Sequence, residues 1–452
     1  MSDPATPGTF HAGMPVRFAD DLPAECDVVI VGGGVIGVSA ALYLAERGLS
    51  VVLCEKGRIA GEQSSRNWGW VRQQGRDAAE LPLMMEANRL WRDLAERSGE
   101  DLGFARHGIL YLARNDAALA EHAEWLEVAK QHQLDTRLLT AAEVESMVDG
   151  RPGTWRGGLF TPSDGRAEPW LAVPGLARAA RRAGAVVRED CAVRTLEKAG
   201  GRITGVITER GRIACDQVIV AGGAWSALFL ANEGIALPQL SVLSSAARTA
   251  PGPEVFAGNA SDGIFSFRRR QDGGYSVAAS GLHEHFIGPG SFRHLRPWLK
   301  GAFEKRDSVR FRLAAPAGYP DAWHTPRRWS GDGAGPFEAI RVLNPTPAPG
   351  LAARAEKLMA ERLPALAGLK VVETWAGLID AMPDMVPVID RTPRPEGLIV
   401  ATGFTGHGFG IGPAVGRILA DMVQGRPSGH DMQRFRYGRF SDGSRLELGP
   451  AL

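Results

Sequence analysis

The chain has 452 residues, 44% of them hydrophobic and 23% charged, and a net charge of +1. That composition suits a globular protein with two large domains, and no basic excess points to nucleic acid or to an anionic membrane surface. The four cysteines (Cys26, Cys54, Cys191 and Cys215) all lie in the first half with no C-x-x-C pair, which excludes a zinc knuckle, a redox dithiol and a disulfide framework and suits a reducing cytoplasm.

Residues 1–26 read as a polar arm without the apolar core of a signal peptide. Residues 28–45 carry no charge over a length that resembles a membrane span. Three consecutive glycines and a strand-then-helix pattern instead predict a buried turn. The apolar run 28–31 predicts a parallel strand buried on both faces, 38–47 a helix stopped by Gly48, and 51–54 a second strand ended by Glu55. Between strand and helix, Gly32, Gly34 and Gly37 give G-x-G-x-x-G. The first allows a tight turn, the second lets the backbone approach a pyrophosphate, and the third lets the helix pack on the strand. The helix N-terminus offers free N–H groups and a partial positive charge to phosphates. Glu55 stands where a carboxylate accepts hydrogen bonds from ribose hydroxyls. The unit predicts a bound dinucleotide. It does not separate NAD from FAD, and Glu55 disfavours NADP.

Helices are predicted at about 81–98, 116–132 and 141–148, the last opened by a Thr140–Glu143 capping box, with a strand at 108–113. Segment 154–160 reads as extended, and a turn, a helix and strands lead into QVIVAGGAW at 217–225. Between 235 and 368, alternating strands such as GGYSVAASGLH mix with helices near 292–304 and 351–363. Segment 326–350, rich in Pro and Gly, is a candidate surface loop or lid. The buried-strand style returns near 369. The expected division is a cofactor domain from 27–87, 154–234 and 369–430, a second domain from 88–153 and 235–368, and a tail at 431–452.

The stretch GFTGHGFGIG at 403–412 has five glycines in ten residues and precedes PAVGRILADMV, which reads as a helix. It predicts a second helix mouth where backbone N–H groups converge. A reduced flavin carries negative charge near N1, and a helix N-terminus aimed there stabilises it. Glycines at 406, 408 and 410 let a flat ring lie against the backbone. The two mouths are expected to grip opposite ends of one FAD.

Several stretches together resemble the D-amino-acid oxidase-like flavoproteins, which include glycine oxidase, monomeric sarcosine oxidase and D-amino-acid dehydrogenases. They are VIVGGGVIG with Glu55, SSRNWG at 64–69, VIVAGGAW at 218–225, WAGLID at 375–380 and GFTGHGFGIGP at 403–413, and the resemblance spans about 27–425. It implies an α/β chain: a Rossmann-like FAD-binding domain of the glutathione-reductase type, with an inserted α+β substrate domain built on an antiparallel sheet. It also implies FAD, bound extended with its ring at the domain junction. By resemblance, Gly32, Gly34, Val35, Ile36, Gly37, Glu55 and Lys56 hold the ADP half. Ser64, Ser65, Arg66, Asn67 and Trp68 follow the pyrophosphate and flavin edge, and Val193 meets adenine through its backbone. Gly222, Trp225 and Gly377 border the cofactor, and Gly403, Gly406, His407, Gly408, Phe409, Gly410 and Ile411 cover the flavin pyrimidine. Some relatives attach flavin through a cysteine near the last motif; none follows Cys215 here, so the FAD is expected to be non-covalent.

The chain also departs from its relatives. Sarcosine oxidases carry a substrate-binding lysine where Gly410 stands, and WAGLRP-type relatives an arginine where this chain has Ile379 and Asp380. Arg72 is the first substitute anchor for a substrate carboxylate and Arg76 the second. A lysine that promotes reaction with oxygen in sarcosine oxidases aligns with Ala279, which tilts the reading toward a dehydrogenase; the acceptor stays open between oxygen and a quinone or protein. Arg72, Tyr275 and His283 are the candidate catalytic residues, and no metal is expected; His283 and His285 alternate on one strand without a clear third ligand. Trp68 and Trp70 are candidate walls of an apolar pocket. The expected reaction oxidises the C–N bond of an amine or amino acid (primary or secondary, D-configured, N-alkylated or an opine) by hydride transfer to flavin N5, followed by imine hydrolysis. The rival readings are a flavoprotein subunit of a multi-chain dehydrogenase and a nicotinamide-dependent reductase. No nucleic acid and no transmembrane segment are expected. Peripheral membrane contact stays open.

Overall fold

Six strands make the first sheet, in the order Val388–Arg391, Leu398–Thr402, Gln217–Val220, Val28–Val31, Val51–Cys54 and Val186–Arg188. Adjacent strands run parallel except at the Val388–Arg391 edge. The structure, a computed structural model, describes residues 10–281, 283–304 and 309–449. The strands read as unbroken apolar runs because both faces of the sheet are covered. Val28, Ile30, Leu53 and Ile399 face a layer containing the helices Val35–Glu46, Pro169–Arg182 and Gly408–Val423. Val29, Val52, Val218 and Val400 face the other way, toward Leu196, Val206 and Ile213 of a three-stranded antiparallel sheet.

A larger sheet of ten strands carries the rest, apart from a two-stranded pair of Trp70–Val71 with Gly165–Arg166. It is mixed, not wholly antiparallel as expected: Asn259–Ser261 runs parallel to Ile109–Ala113, and His283–Phe286 parallel to Val309–Arg312. Strand Val371–Ala381 pairs along its length with Leu240–Thr249, and Gly157–Thr161 lies between Ile109–Ala113 and Arg137–Thr140. The sequence reading put both segments in the cofactor domain. Short apolar strands look alike whichever sheet they join, so the pattern alone does not tell where the chain crosses over.

The predicted helices form at Leu81–Arg97, Asp116–Gln131 and Ala141–Met147, with both hydrogen bonds of the Thr140–Glu143 capping box in place. The helix after the glycine stretch starts earlier than expected, at Gly408. Its glycines therefore serve packing as well: a Cβ on Gly416 would stand 2.5 Å from Ser39 Cβ, and one on Gly412 2.6 Å from Val35 Cγ2.

Three segments read as peripheral are anchored. Phe10 and Phe18 are buried, and Arg58 donates to Ala12 O and Met14 O, so the described part of the N-terminal arm lies on the first domain. In the tail, buried Arg439 donates to both Asp384 carboxylate oxygens at 2.8 and 3.0 Å. In segment 326–350, Phe337, Val342 and Leu343 are buried, and Lys56 Nζ donates to Ile340 O and Arg341 O. That segment is a strap pinned to the first sheet, not a free lid. No described helix is long and apolar enough to cross a membrane.

Candidate functional site

A cleft of about 780 Å³ is lined from both sheets and both glycine-rich turns. Such a volume suits an organic cofactor with a small substrate. At the first turn, Gly32 has φ +114°, and a Cβ there would stand 2.5 Å from Ala221 O. Helix Val35–Glu46 begins at Gly34 with no side-chain cap. Its first N–H, from Val35, donates to Ser64 Oγ at 2.9 Å. Glu55 accepts from Gly33 N and Gly57 N, both at 2.7 Å, and burial raises its pKa to about 7 against the pull of Lys56. These groups are a cradle for a pyrophosphate with a carboxylate beside a ribose.

At the second turn, Gly406 has φ +77° and helix Gly408–Val423 also starts without a side-chain cap. The two helices meet just inside their mouths, where a Cβ on Gly412 would stand 2.6 Å from Val35 Cγ2. Phe409 and Trp91 pack at 5.1 Å behind this turn, and Trp91 Nε1 donates to Gly410 O.

Most of the expected cofactor residues line this one cleft: Gly32, Gly34, Val35, Ile36, Glu55, Lys56, Ser64, Arg66, Asn67, Trp68, Val193, Gly222, Trp225, Gly377, Gly406, His407, Gly408, Phe409 and Gly410. Gly37, Ser65, Gly403 and Ile411 do not. Gly37 serves packing, with its virtual Cβ 2.0 Å from Gly32 O. Ile411 is core, Ser65 hydrogen-bonds Glu62 O within its own turn, and Gly403 donates backward to Asp380.

The cations sort by their partners. Lys56 is held by Glu62 and the strap carbonyls and lies 4.3 Å over the Trp225 ring. Arg66 donates to Leu343 O, Ala376 O and Gly61 O. Arg76, the second carboxylate anchor considered, is buried and donates to Arg72 O, Glu80 and His407 O. Burial, reinforced by Arg72, lowers its pKa to about 10. Arg72 is half-buried and, among the described residues, makes one hydrogen bond, from Nη1 to Gln74 O at 2.6 Å. It lines the cleft beside Trp68, Trp70 and Tyr111, with ring separations of 5.5 and 6.4 Å along that series.

His283 lines the cleft, its Nδ1 is buried without a hydrogen bond, and burial lowers its pKa, so it is neutral near pH 7. His285 bonds Ser241 O and Ser291 Oγ instead and does not join it. No metal-binding cluster occurs among the described residues. Tyr275 is a correction. It is fully buried in the core of the second domain, its hydroxyl bonded to Pro253 O and Val255 N, and it does not line the cleft. A tyrosine on an apolar strand is as good a core residue as a pocket residue, and nothing in the spacing separates the two.

Other residues emerge only from the assembled structure. Glu62 receives bonds from Lys56, Trp225 and Leu343 N; burial opposes its charge, but Lys56 and Arg66 hold its pKa below the usual range. Gln63 bridges toward Asp380 N. Arg114 stands exposed at the rim, bonded to Asp262 O. Their partners come from distant segments, so no local motif marks them.

The sequence profile of a family described as FAD dependent oxidoreductase, DAO, matches residues 27–422. The solved L-amino acid deaminase of Proteus myxofaciens is 31% identical and superposes with a TM-score of 0.89 over 94% of this chain and 97% of that one. Glycine oxidase of Geobacillus kaustophilus is 26% identical over 92% of this chain and 97% of its own length. The 4-methylaminobutanoate oxidase (formaldehyde-forming) of Paenarthrobacter nicotinovorans is 30% identical over 48% of this chain. In that protein and two further curated relatives, the match spans between 25% and 42% of the relative's length.

Proposed function

This chain belongs to the DAO family of FAD-dependent oxidoreductases, and from that premise we propose that it oxidises the C–N bond of a small amino acid whose carboxylate rests on Arg72. The cleft fits the cofactor: the uncapped helix at Gly34 with Ser64 suits the pyrophosphate, Glu55 a ribose, and the turn at 406–410 a flat ring. Bound FAD supplies the two-electron acceptor that takes the C–N bond to an imine, which water hydrolyses to a carbonyl and a free amine. We further propose that FAD is held without a covalent link, since no cysteine lies near the second turn.

One observation carries the substrate reading. Among the described cations of the inner cleft wall, Lys56, Arg66 and Arg76 each make several bonds to protein partners, with only the Nε of buried Arg66 left over, whereas half-buried Arg72 makes one and keeps guanidinium donors to offer. A planar fork beside Trp68 and Trp70 suits a carboxylate with an apolar side chain. The names of the deaminase and glycine oxidase relatives, both acting on amino acids, support the same class. Burial weakens His283 as a base, which suits a reaction driven by positioning and charge stabilisation. Ala279 lines the cleft where sarcosine oxidases carry a lysine, which supports an acceptor other than oxygen.

Anaerobic bleaching of the flavin by amino acids, set against the matching amines without a carboxylate, tests the reading. Bleaching by the acids at far lower concentration is expected. Equal response to acid and amine, or to neither, overturns it.

A further inference from the structure

Asp164 is fully buried and does not line the cleft, yet its carboxylate grips the loop that carries Arg72. Oδ1 accepts from Gln73 N at 2.8 Å and from Gln73 Nε2 at 3.0 Å, and Oδ2 accepts from Gln74 N at 3.1 Å. The end of a strand pair explains why a side chain is needed there. Trp70 and Val71 pair with Arg166 and Gly165. The N–H groups of buried Gln73 and Gln74 lie past that ladder, and Asp164, the residue before Gly165, supplies their acceptors. Gln74 then fixes Arg72. Its carbonyl accepts Arg72 Nη1 at 2.6 Å, and its side-chain Oε1 accepts Thr161 Oγ1 at 2.7 Å. Gly75 follows with φ +72°, and a Cβ there would stand 3.0 Å from Tyr111 Cε2 and 3.2 Å from Arg72 Nη1. The guanidinium thus lies against a bare turn, and Asp164 holds the two amides before it.

We infer that Asp164 is a positioning residue for the oxidation. By clasping the backbone at 73–74 it sets Gln74 O, and through that oxygen the angle at which Arg72 presents its fork to the substrate carboxylate. The inference rests on the reading of Arg72 as the carboxylate anchor. An arginine held by one hydrogen bond has many rotamers open to it, and a planar, two-bond contact with a carboxylate accepts few of them. A fixed Gln74 O narrows that choice before substrate arrives, which is what a supporting residue behind a binding group does. Arg76 has its own partners in Glu80 and His407 O, so a looser loop tells first on Arg72.

Anaerobic stopped-flow bleaching of the FAD-loaded chain tests this, with an amino acid and its matching amine as substrates and the half-saturating concentration read apart from the limiting rate. Asp164→Asn turns an N–H toward one of the two loop amides. It should raise the half-saturating concentration of the acid about tenfold, with that of the amine and both limiting rates unchanged. Asp164→Ala, which keeps no acceptor, should lose more. Ser163→Ala removes a bond to the Gln73 side chain and leaves the backbone clasp, so it should match the parent. Where the Asp164 variants fail to hold flavin, Gly75→Ala decides, because its added carbon crowds the same guanidinium with the carboxylate in place; the acid-only rise is expected there too. Asp164→Asn with parental values, or an equal rise for acid and amine, overturns the role of Asp164. Arg72→Met with an unchanged value for the acid overturns the anchor reading itself, and this inference with it.

Discussion

The carboxylate of Asp380 accepts a hydrogen bond from the backbone N–H of Gly403 at 2.7 Å, joining strand Val371–Ala381 of the large sheet to the second glycine-rich turn. The same oxygen receives Thr402 Oγ1 at 3.2 Å, and Asp380 O receives Thr405 N. Gly403 has φ +74°, so this bond secures a turn that only glycine adopts freely. Asp380→Ala strands a buried N–H and is expected to cost about 1–3 kcal/mol. Asp380→Asn keeps an acceptor and should lose less. The melting temperature and the flavin content of the purified variants check this; an alanine variant with full flavin and an unchanged melting temperature contradicts it.

Glu80 is buried between Arg76, 3.4 Å away, and His407, 3.7 Å away, with Arg72 and Asp77 also acting on it. Burial raises its pKa from 4.5 to about 7, against the pull of Arg76. A raised folded pKa means stability that is fully present below 4.5 and lost as the pH climbs through 7. A shift of that size corresponds to roughly 3 kcal/mol across the window. Glu80→Gln removes the titration. Its stability relative to the parent should therefore improve between about pH 4.5 and pH 7 and level off above that, as read by thermal melts. A difference that does not change with pH means the carboxyl stays ionised in the folded protein.

How much of this was legible beforehand depends on the range of the interaction. The first strand–turn–helix–strand unit was readable because its glycines, its apolar run and Glu55 lie within thirty residues and each has a local physical task. The second glycine turn was readable for the same reason. Its helix starts at Gly408 and not after it, since helical glycines look like loop until a neighbour such as Ser39 is seen to need the space. The roles of Glu62, Gln63 and Asp380 were not readable, because their partners lie up to hundreds of positions away. Tyr275 shows the opposite failure, a polar side chain given a pocket role when a buried carbonyl satisfies it.

Gly416 sits where the helices Val35–Glu46 and Gly408–Val423 pack tightly, with a virtual Cβ 2.5 Å from both Ser39 C and Ser39 Cβ. Gly416→Ala must force them apart, at an expected cost of about 1–3 kcal/mol. Because Val35 and Gly412 share the interface, the shift should also loosen FAD. Gly333 is the contrast: nothing lies within 4 Å of its virtual Cβ and its φ is ordinary. Gly333→Ala should be neutral or stabilise by a few tenths of a kcal/mol up to about 1. Chemical denaturation of the two variants side by side decides the matter, and equal effects would argue against close packing as the cause.

Arg72 and Arg76 are four residues apart and look interchangeable in the sequence, yet they predict different phenotypes. Arg76 is engaged at all three nitrogens, by Arg72 O, Glu80 and His407 O, inside the protein. Arg76→Met breaks a buried pair and leaves Glu80 without its cation, so about 3–5 kcal/mol of stability should go, with flavin content falling alongside. Arg72 gives up one bond, to Gln74 O, and its exposure lets water compensate. Arg72→Met should therefore fold and hold FAD. Its defect should appear in KM for carboxylate-bearing substrates, raised by about tenfold to a hundredfold for the loss of a charge-assisted pair worth roughly 1.5–3 kcal/mol. Amines without a carboxylate should show no such change, and Arg72→Lys should recover only part of the loss because an ammonium cannot reproduce the planar fork. A uniform fall in kcat for both substrate classes at unchanged KM would instead mean that Arg72 acts on the bond being broken and not on the carboxylate.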